Sequence, residues 1–343
     1  MHSTLFVVLV VLVALSFDFT NGFHDTANAI ATSVSTHALS PRMAVVLSAV
    51  MNFLGAFVTL KVATTISKGV VDPTKYDVTL VMVLAALVGA IAWNLLTWSY
   101  GLPSSSSHAL IGGLVGAGIA SLGVGAISWG GIVQKMIIPL VLSPIIGFLL
   151  AYIGMLIIFW VFRRARPRPV HRGFRWAQIL SAAFVSFSHG TNDAQKTMGV
   201  IALALVGGPA IFGRKLTAAD VSAGHIPLWV VAAAAAAMAF GTYFGGWRII
   251  KTMGTRLYKM DPAQGFDAQT VAATVIQTAS HFGFPVSTTH VVTGSVLGAG
   301  SSQSISAVRW GVGINIFLAW IITLPMAALF AAIAYVVLHL FVH

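Results

Sequence analysis

Apolar runs at roughly 3–39, 43–66, 77–100, 104–121, 131–162, 176–205, 228–247, 264–282, 285–300 and 307–341 carry most of the chain. A bilayer-spanning helix needs about 20 apolar residues, so the pattern predicts membrane helices, with 104–121 and 285–300 short for a full crossing. Each short run follows a Gly-x-Pro break, Gly101-Leu102-Pro103 and Gly283-Phe284-Pro285, where a chain readily reverses. Two helical hairpins follow, 77–100 with 104–121 and 264–282 with 285–300, turning near the bilayer midplane. If both arms span fully, the parity of every later segment is the same.

Polar stretches inside these runs say more than the runs do. An ionisable group at membrane depth is costly unless it faces a partner, water or an ion, so its default reading is functional. The first run contains Asn21-Gly22-Phe23-His24-Asp25-Thr26-Ala27-Asn28, and the sixth contains His189-Gly190-Thr191-Asn192-Asp193-Ala194-Gln195-Lys196. Gly22 matches Gly190 and Asp25 matches Asp193. The hairpin turns repeat too, as Gly101-Leu102-Pro103-Ser104-Ser105-Ser106-Ser107-His108 and Gly283-Phe284-Pro285-Val286-Ser287-Thr288-Thr289-His290. Each half therefore holds, in order, a run broken by an aspartate cluster, a helix, a hairpin and a closing helix. The expected units are repeat 1 over 1–162, a cytoplasmic basic linker over 163–175 and repeat 2 over 176–343. An odd number of segments per half makes the second an inverted copy. The expected fold class is an all-α polytopic membrane protein with two inverted-topology repeats, broken helices and two helical hairpins, an architecture common in secondary transporters.

Composition agrees, with 57% hydrophobic and 8% charged residues, a mean hydropathy of +0.91, and no soluble domain left over. Cysteine is absent, which excludes disulfides. Met1-His2-Ser3-Thr4 lacks the basic start of a signal peptide, so the first run reads as a mature helix. A net charge of +11 here concerns loops rather than nucleic acid, for which no partner role is expected. Arg163, Arg164, Arg166, Arg168, Arg172 and Arg175 crowd one connection, and Arg248, Lys251, Arg256 and Lys259 another. Placing both in the cytoplasm puts Arg42 and Arg309 there as well, with Lys61, Lys68, Lys75, Lys135, Arg214 and Lys215 outside, 12 charges against 6. Both termini then lie outside the cell membrane. The basic linker serves as a topology signal, with anionic lipid as the minor alternative.

The chemistry of the four polar stretches converges on an anion. Ser105, Ser106 and Ser107 open one hairpin arm, and Ser287, Thr288 and Thr289 open the other. Hydroxyls, free first-turn amides and the positive end of a helix dipole together bind oxyanions. Two such arms facing each other would cradle a tetrahedral anion. Asp25 and Asp193 beside it make sense if cations or protons neutralise them, or if the anion donates a hydrogen bond, as hydrogen phosphate does and sulfate does not. Asn21, Asn28 and Asn192 supply neutral oxygens for a Na⁺, and Lys196 a fixed positive charge.

With these motifs in fixed order over essentially the whole chain, the sequence resembles the inorganic phosphate transporter (PiT) family. Trp247-Arg248 followed by Lys251-Thr252-Met253-Gly254 is similar to the family's pattern as well. The resemblance implies inward phosphate symport driven by H⁺ or Na⁺, inverted repeats and a homodimer in the plasma membrane, with no cofactor. Carried over position by position, it puts the anion site on Ser105, Ser106, Ser107, Ser287, Thr288 and Thr289, joined by Asn192, and the cation site on Asn21, Asp25, Asn28, Asn192 and Asp193. Sodium-coupled members generally have Asn-Asp in both clusters, whereas this chain has His24-Asp25 in the first. Imidazole exchanges protons in the physiological range and suits Na⁺ poorly. This is similar to the bacterial low-affinity members, which are proton-coupled and take phosphate as a neutral complex with Mg²⁺ or another divalent metal.

Supporting roles around the site fall to His108, His290, His189 and Lys196, each with a bland reading as a brace or counter-charge. Asp18, a turn or two before the first cluster, divides evenly between structure and gating. Gly112, Gly113, Gly116, Gly294 and Gly298 read as close helix contacts. Ser, His and Asp at membrane depth also allow an intramembrane serine hydrolase, and a channel is a further reading. Runs of serines in duplicate sets argue against the first, and broken helices around a buried anion site against the second.

Overall fold

In the computed structural model, residues 4–210 and 215–341 are described; Arg214 of the charge count lies outside them. The described residues are helical, with one isolated bridge between Val71 and Ile127. Two long helices carry the aspartate clusters, α1 (Thr4–Ser35) and, later in the chain, α8 (Pro167–Gly207). Neither is interrupted there, which corrects the expectation that the clusters break their helices. Their glycines serve contact rather than flexibility. A Cβ on Gly22 would strike the Met238 carbonyl of the helix Leu228–Phe244, and one on Gly190 the Asn52 carbonyl of α2 (Pro41–Gly55).

The breaks fall in the second element of each half. After Gly55 the chain loosens and resumes as α3 (Lys61–Gly69), so the run 43–66 is two helices. Later, α9 (Ala218–Ser222) precedes α10 (Leu228–Phe244), which ends at Gly245-Gly246. Beyond it lie α11 (Trp247–Lys251) and a π-helical turn, Thr252–Arg256, bent 60° from α10. Arg248, Lys251 and Arg256 are thus helical rather than in an open connection. The basic linker is also largely helical, because Pro167, whose φ suits a first helical turn, starts α8 within it.

Both hairpins form where expected, as α4 (Leu80–Ser99) with α5 (Ser106–Leu122), and α12 (Pro262–His281) with α13 (Thr288–Gln303). Gly101 and Gly283 sit in the left-handed region at φ +65° and +78°, which glycine adopts without a Cβ clash. The closing elements are α6 (Trp129–Ile132), running through a π-turn into α7 (Ile138–Phe162), and α14 (Trp310–Phe341). By length and composition four helical stretches can cross a membrane, Thr4–Ser35, Leu80–Ser99, Trp129–Phe162 and Trp310–Phe341, and α10 with its bent continuation makes a fifth.

Packing ties the halves together. The first hairpin lies against α14, and the second against α7. Gly112 and Gly116 meet the Leu324 and Ala328 carbonyls, while Gly294 and Gly298 meet those of Pro144 and Phe148, the close small-residue packing expected of membrane helices. The outer faces of α7 and α14 leave large apolar side chains such as Ile153, Trp160, Ile321 and Val336 exposed, as lipid-facing helices do. One apolar core gathers Val7, Val10, Leu87 and Ile201, and a second gathers Ile30, Val185, Ile276 and Val291. The aspartate clusters and hairpin tips form a buried polar layer.

Candidate functional site

Both hairpin tips reach the same carboxylate. Ser106 Oγ, on the first tip, donates to Asp25 Oδ2, and Thr289 Oγ1, on the second, lies 3.4 Å from Asp25 Oδ1. Thr289 in turn accepts from Asn28 Nδ2 at 2.8 Å. Lys196 Nζ donates to Asp193 Oδ1 at 2.7 Å, to the Val286 carbonyl at 3.0 Å and to Ser107 Oγ. Lys196 is 1% exposed; in so dry a place its charge and that of Asp193 each need the other. Asn21 Nδ2 completes the second carboxylate, 3.4 Å from Asp193 Oδ2.

A chain of hydrogen bonds ends on the first carboxylate. His24 Nδ1 is 2.8 Å from Asp25 Oδ1, and its Nε2 is 3.3 Å from both Thr97 Oγ1 and Ser104 Oγ. Ser104, His24 and Asp25 are connected in the sequence of a hydrolytic triad. Ser104 nevertheless shares its hydroxyl with Thr97 at 2.8 Å and, like the whole layer, is buried. His189 sits on the matching side of the second carboxylate, its Nε2 3.7 Å from Asp193 Oδ2 and its Nδ1 3.0 Å from Asn52 Oδ1. Asp25, His189 and Asp193 offer atoms within 4.8 Å of one another, close enough to share a cation. Three amide oxygens there, on Asn21, Asn28 and Asn192, have no donor, nor does the buried Thr288 hydroxyl.

Several expected ligands prove to have structural duties. Ser105 and Ser287 cap their own arms, accepting from the His108 and His290 amides at 3.2 and 3.3 Å, as N-cap serines do. Asn192 spends its Nδ2 on Ser280 Oγ at 2.8 Å and the Phe284 carbonyl at 3.3 Å, tying the second hairpin to α8. His108 and His290 directly follow the tip hydroxyls, and among the described residues neither makes a hydrogen bond or ion pair with Asp25 or Asp193. Their rings meet at 4.6 Å with a tilt of 33°, His290 stacks on Trp320 at 3.8 Å, and both line an apolar cavity of about 500 Å³ between α7 and α14.

Residues passed over in the sequence brace this arrangement. Thr97 and Ser104 hold His24. Asn52 bridges His189 and Thr242, and was legible as a lone amide in an apolar run. Gln195 accepts from the Val62 and Ala63 amides, fixing the start of α3. Thr252 Oγ1 donates to the Gly101 carbonyl at 3.0 Å and Thr65 Oγ1 to that of Gly283 at 2.8 Å. One turn before these threonines, Arg248 and Lys61 lie against Gly101 and Gly283. Both had been counted as loop charges; each sits beside a hairpin tip, at the helix break of its half.

Helical hairpins whose capped tips meet buried carboxylates, inside a bundle with lipid-facing outer helices, define a membrane transporter rather than an enzyme. The description "Phosphate transporter family" fits residues 21–173 and 163–331, and the chain belongs to that family. It is 51% identical over 340 residues to a probable low-affinity inorganic phosphate transporter of Mycobacterium tuberculosis (strain CDC 1551 / Oshkosh), covering 99% of this chain and 79% of the relative. A protein of the same description from Bacillus subtilis (strain 168) is 48% identical over 333 residues, 97% of each chain. Among solved structures, one described as the sodium-dependent phosphate transporter superposes with a TM-score of 0.87 at 25% identity, over 98% of this chain and 100% of that one.

Proposed function

We propose that this chain is a secondary active symporter that imports inorganic phosphate together with protons, and that the buried layer around Asp25 and Asp193 is where both bind. The observation that carries this reading is the sharing of one carboxylate by two hairpin tips. In the structure the Ser106 and Thr289 hydroxyls are engaged by Asp25. A tetrahedral anion needs those same donors, and it is repelled by the charge they now satisfy. Neutralising Asp25 removes the repulsion and frees the hydroxyls in one step, so anion affinity rises only when a positive charge has arrived. Ser107, Thr288 and the first-turn amides of α5 and α13 complete the cradle. Asp193, held by Lys196 and Asn21, keeps an acceptor nearby for the proton of hydrogen phosphate.

His24 supports the proton as the coupling ion. The chain of Thr97 and Ser104 hydroxyls, imidazole and Asp25 is a hydrogen-bonded route along which a proton can be handed to the carboxylate. A second reading has its own support. The three amide oxygens without donors, with the two carboxylates, are a ligand set for a hard cation, and the superposed solved structure is described as sodium-dependent. Two matched halves in opposite orientation, a homodimer in the plasma membrane with both termini outside, and entry of phosphate as a divalent-metal complex complete the proposal.

Radiolabelled phosphate uptake into proteoliposomes, under an imposed pH or Na⁺ gradient and with or without Mg²⁺, tests it. Accumulation driven by the pH gradient and abolished by a protonophore is expected, with Mg²⁺ accelerating it. Accumulation that follows only the Na⁺ gradient overturns proton coupling, and absence of concentrative uptake under either gradient overturns the symporter.

A further inference from the structure

The polar layer around the carboxylates continues toward one face of the bundle and stops short toward the other. From Asn192, the residues Ser188, Ser181 and Gln178 share one side of α8, a path of 14 residues or about 21 Å at a helical rise of 1.5 Å. They meet α1 and α12. Thr36 Oγ1 donates to Gln178 Oε1 at 2.7 Å, Ser181 Oγ to Gln269 Oε1 at 2.8 Å, and Gln269 Nε2 to Ser33 Oγ at 2.7 Å and the Ala29 carbonyl at 3.0 Å. All five side chains are buried. Along the same seam Thr32 Oγ1, Ser188 Oγ and Gln178 Nε2 have no partner, and buried polar atoms of that kind call for water.

The internal duplication supplies a control. The register that sets Asp25 on Asp193 sets Ser33 and Thr36 on Ile201 and Ala204, and Gln178 and Ser181 on Val10 and Val13; the register of the hairpin tips sets Gln269 on Leu87. All five polar positions have apolar counterparts. On that opposite side Asp18, Asn94 and Thr197 also hold polar atoms without partners, but the polar residues end there, and the core of Val7, Val10, Ala14, Leu87, Ile201 and Leu205 lies beyond them. Side-chain hydrogen bonds exchange with water at little net cost, whereas parting an apolar core exposes its whole surface. The two sides of the site therefore differ in how readily they hydrate.

We propose that the α1–α8–α12 seam, closed here by the Ser33, Thr36, Gln178, Ser181 and Gln269 hydrogen bonds, is the leg of the substrate route that opens toward the face carrying Arg163–Arg175. The proposal rests on the central layer being the anion site. Because the chain has no cysteine, single thiols report on it directly. Ser33→Cys and Ser181→Cys, with Val13→Cys and Leu87→Cys at the counterpart positions, are reconstituted in vesicles, and the arginine face is located by trypsin cleavage. A membrane-impermeant methanethiosulfonate cation is applied to each face, and labelling is followed by mass spectrometry. The two seam thiols react from the arginine face at least about tenfold faster than the counterpart thiols, as an opening gate requires. Equal or slower reaction of the seam thiols, in variants that still take up phosphate, overturns the route. Failure of the unmodified chain to take up phosphate contradicts instead the reading of the central site. Thr36→Cys replaces either seam variant that does not reconstitute, and Gln269→Leu, which copies the counterpart, lowers the maximal uptake rate more than the KM for phosphate. An unchanged rate for Gln269→Leu also counts against the gate.

Discussion

Replacing Lys196 with methionine keeps most of the stem and removes the charge, and it asks whether Lys196 is chiefly the counter-ion of Asp193. Its Nζ makes three contacts, with Asp193 at 2.7 Å, the Val286 carbonyl at 3.0 Å and Ser107. At an effective dielectric of about 20, unit charges at that separation attract by roughly 6 kcal/mol before desolvation is subtracted. Breaking a buried pair by removing one partner costs about 3–5 kcal/mol, because the other charge is left uncompensated. Asn21, at 3.4 Å, is the neutral donor that remains to Asp193 from the first cluster. Lys196→Met should therefore lose about 3–5 kcal/mol of unfolding free energy, measured in mixed dodecyl maltoside and SDS micelles. The double variant Asp193→Asn/Lys196→Met, which leaves no lone charge, should recover at least about half of that loss. If the double variant is no more stable than the single one, or if the single one loses less than about 1 kcal/mol, the ion pair is not what holds this part of the layer.

Ser106→Ala removes a donor from Asp25 and from the anion cradle, worth about 1.5–3 kcal/mol for a bond to a charged group; the KM for phosphate uptake should rise about 10- to 100-fold, and an unchanged KM would remove Ser106 from the site. His24→Asn should abolish uptake driven by a pH gradient and confer dependence on Na⁺, read in the same vesicle assay; retained pH-driven uptake with no such gain would end the case for proton coupling through His24. Gly190→Leu places a side chain on the Asn52 carbonyl, so it should eliminate monodisperse protein on size exclusion, whereas Gly130→Leu, with open space at its Cβ, should be tolerated. Thr65→Val and Thr252→Val each cut one tie to a hairpin tip and should cost about 1 kcal/mol apiece, with effects that add because the two ties lie on different hairpins.

Much of this was legible because membrane helices leave few polar residues unexplained. Asp25 and Asp193 stood out in apolar runs, and their repetition paired the halves before any contact was known. The Gly-x-Pro turns likewise gave both hairpins. Other features depended on tertiary contact. The aspartate clusters are expected to break their helices, yet the helices run through them, and Gly22 and Gly190 are where a neighbouring backbone presses close. The break after Gly55 lies in a run whose hydropathy continues across it, and the break at Gly245-Gly246 falls where the run 228–247 ends, so it reads as the close of a helix rather than a bend within one. Ser105 and Ser287 carry the chemistry of ligands and are also caps, a second duty that shows only in the geometry, since a hydroxyl accepting from a first-turn amide keeps its own proton to donate. Arg248 and Lys61 were read as loop charges because charge counting along a chain cannot see a hairpin tip folded back beside them.

The proposed transport depends on one tetrahedral anion being held between the two hairpin tips beside Asp25 and Asp193. Arsenate is a heavier tetrahedral analogue whose anomalous scattering marks its place in a crystal without reference to the protein. An arsenic peak is expected within about 4 Å of both the Ser106 and the Thr288 hydroxyls, a hydrogen bond plus one As–O bond away. A peak at the His108–His290 cavity or along the arginine-rich turn, with the hairpin tips vacant at saturating arsenate, would contradict it.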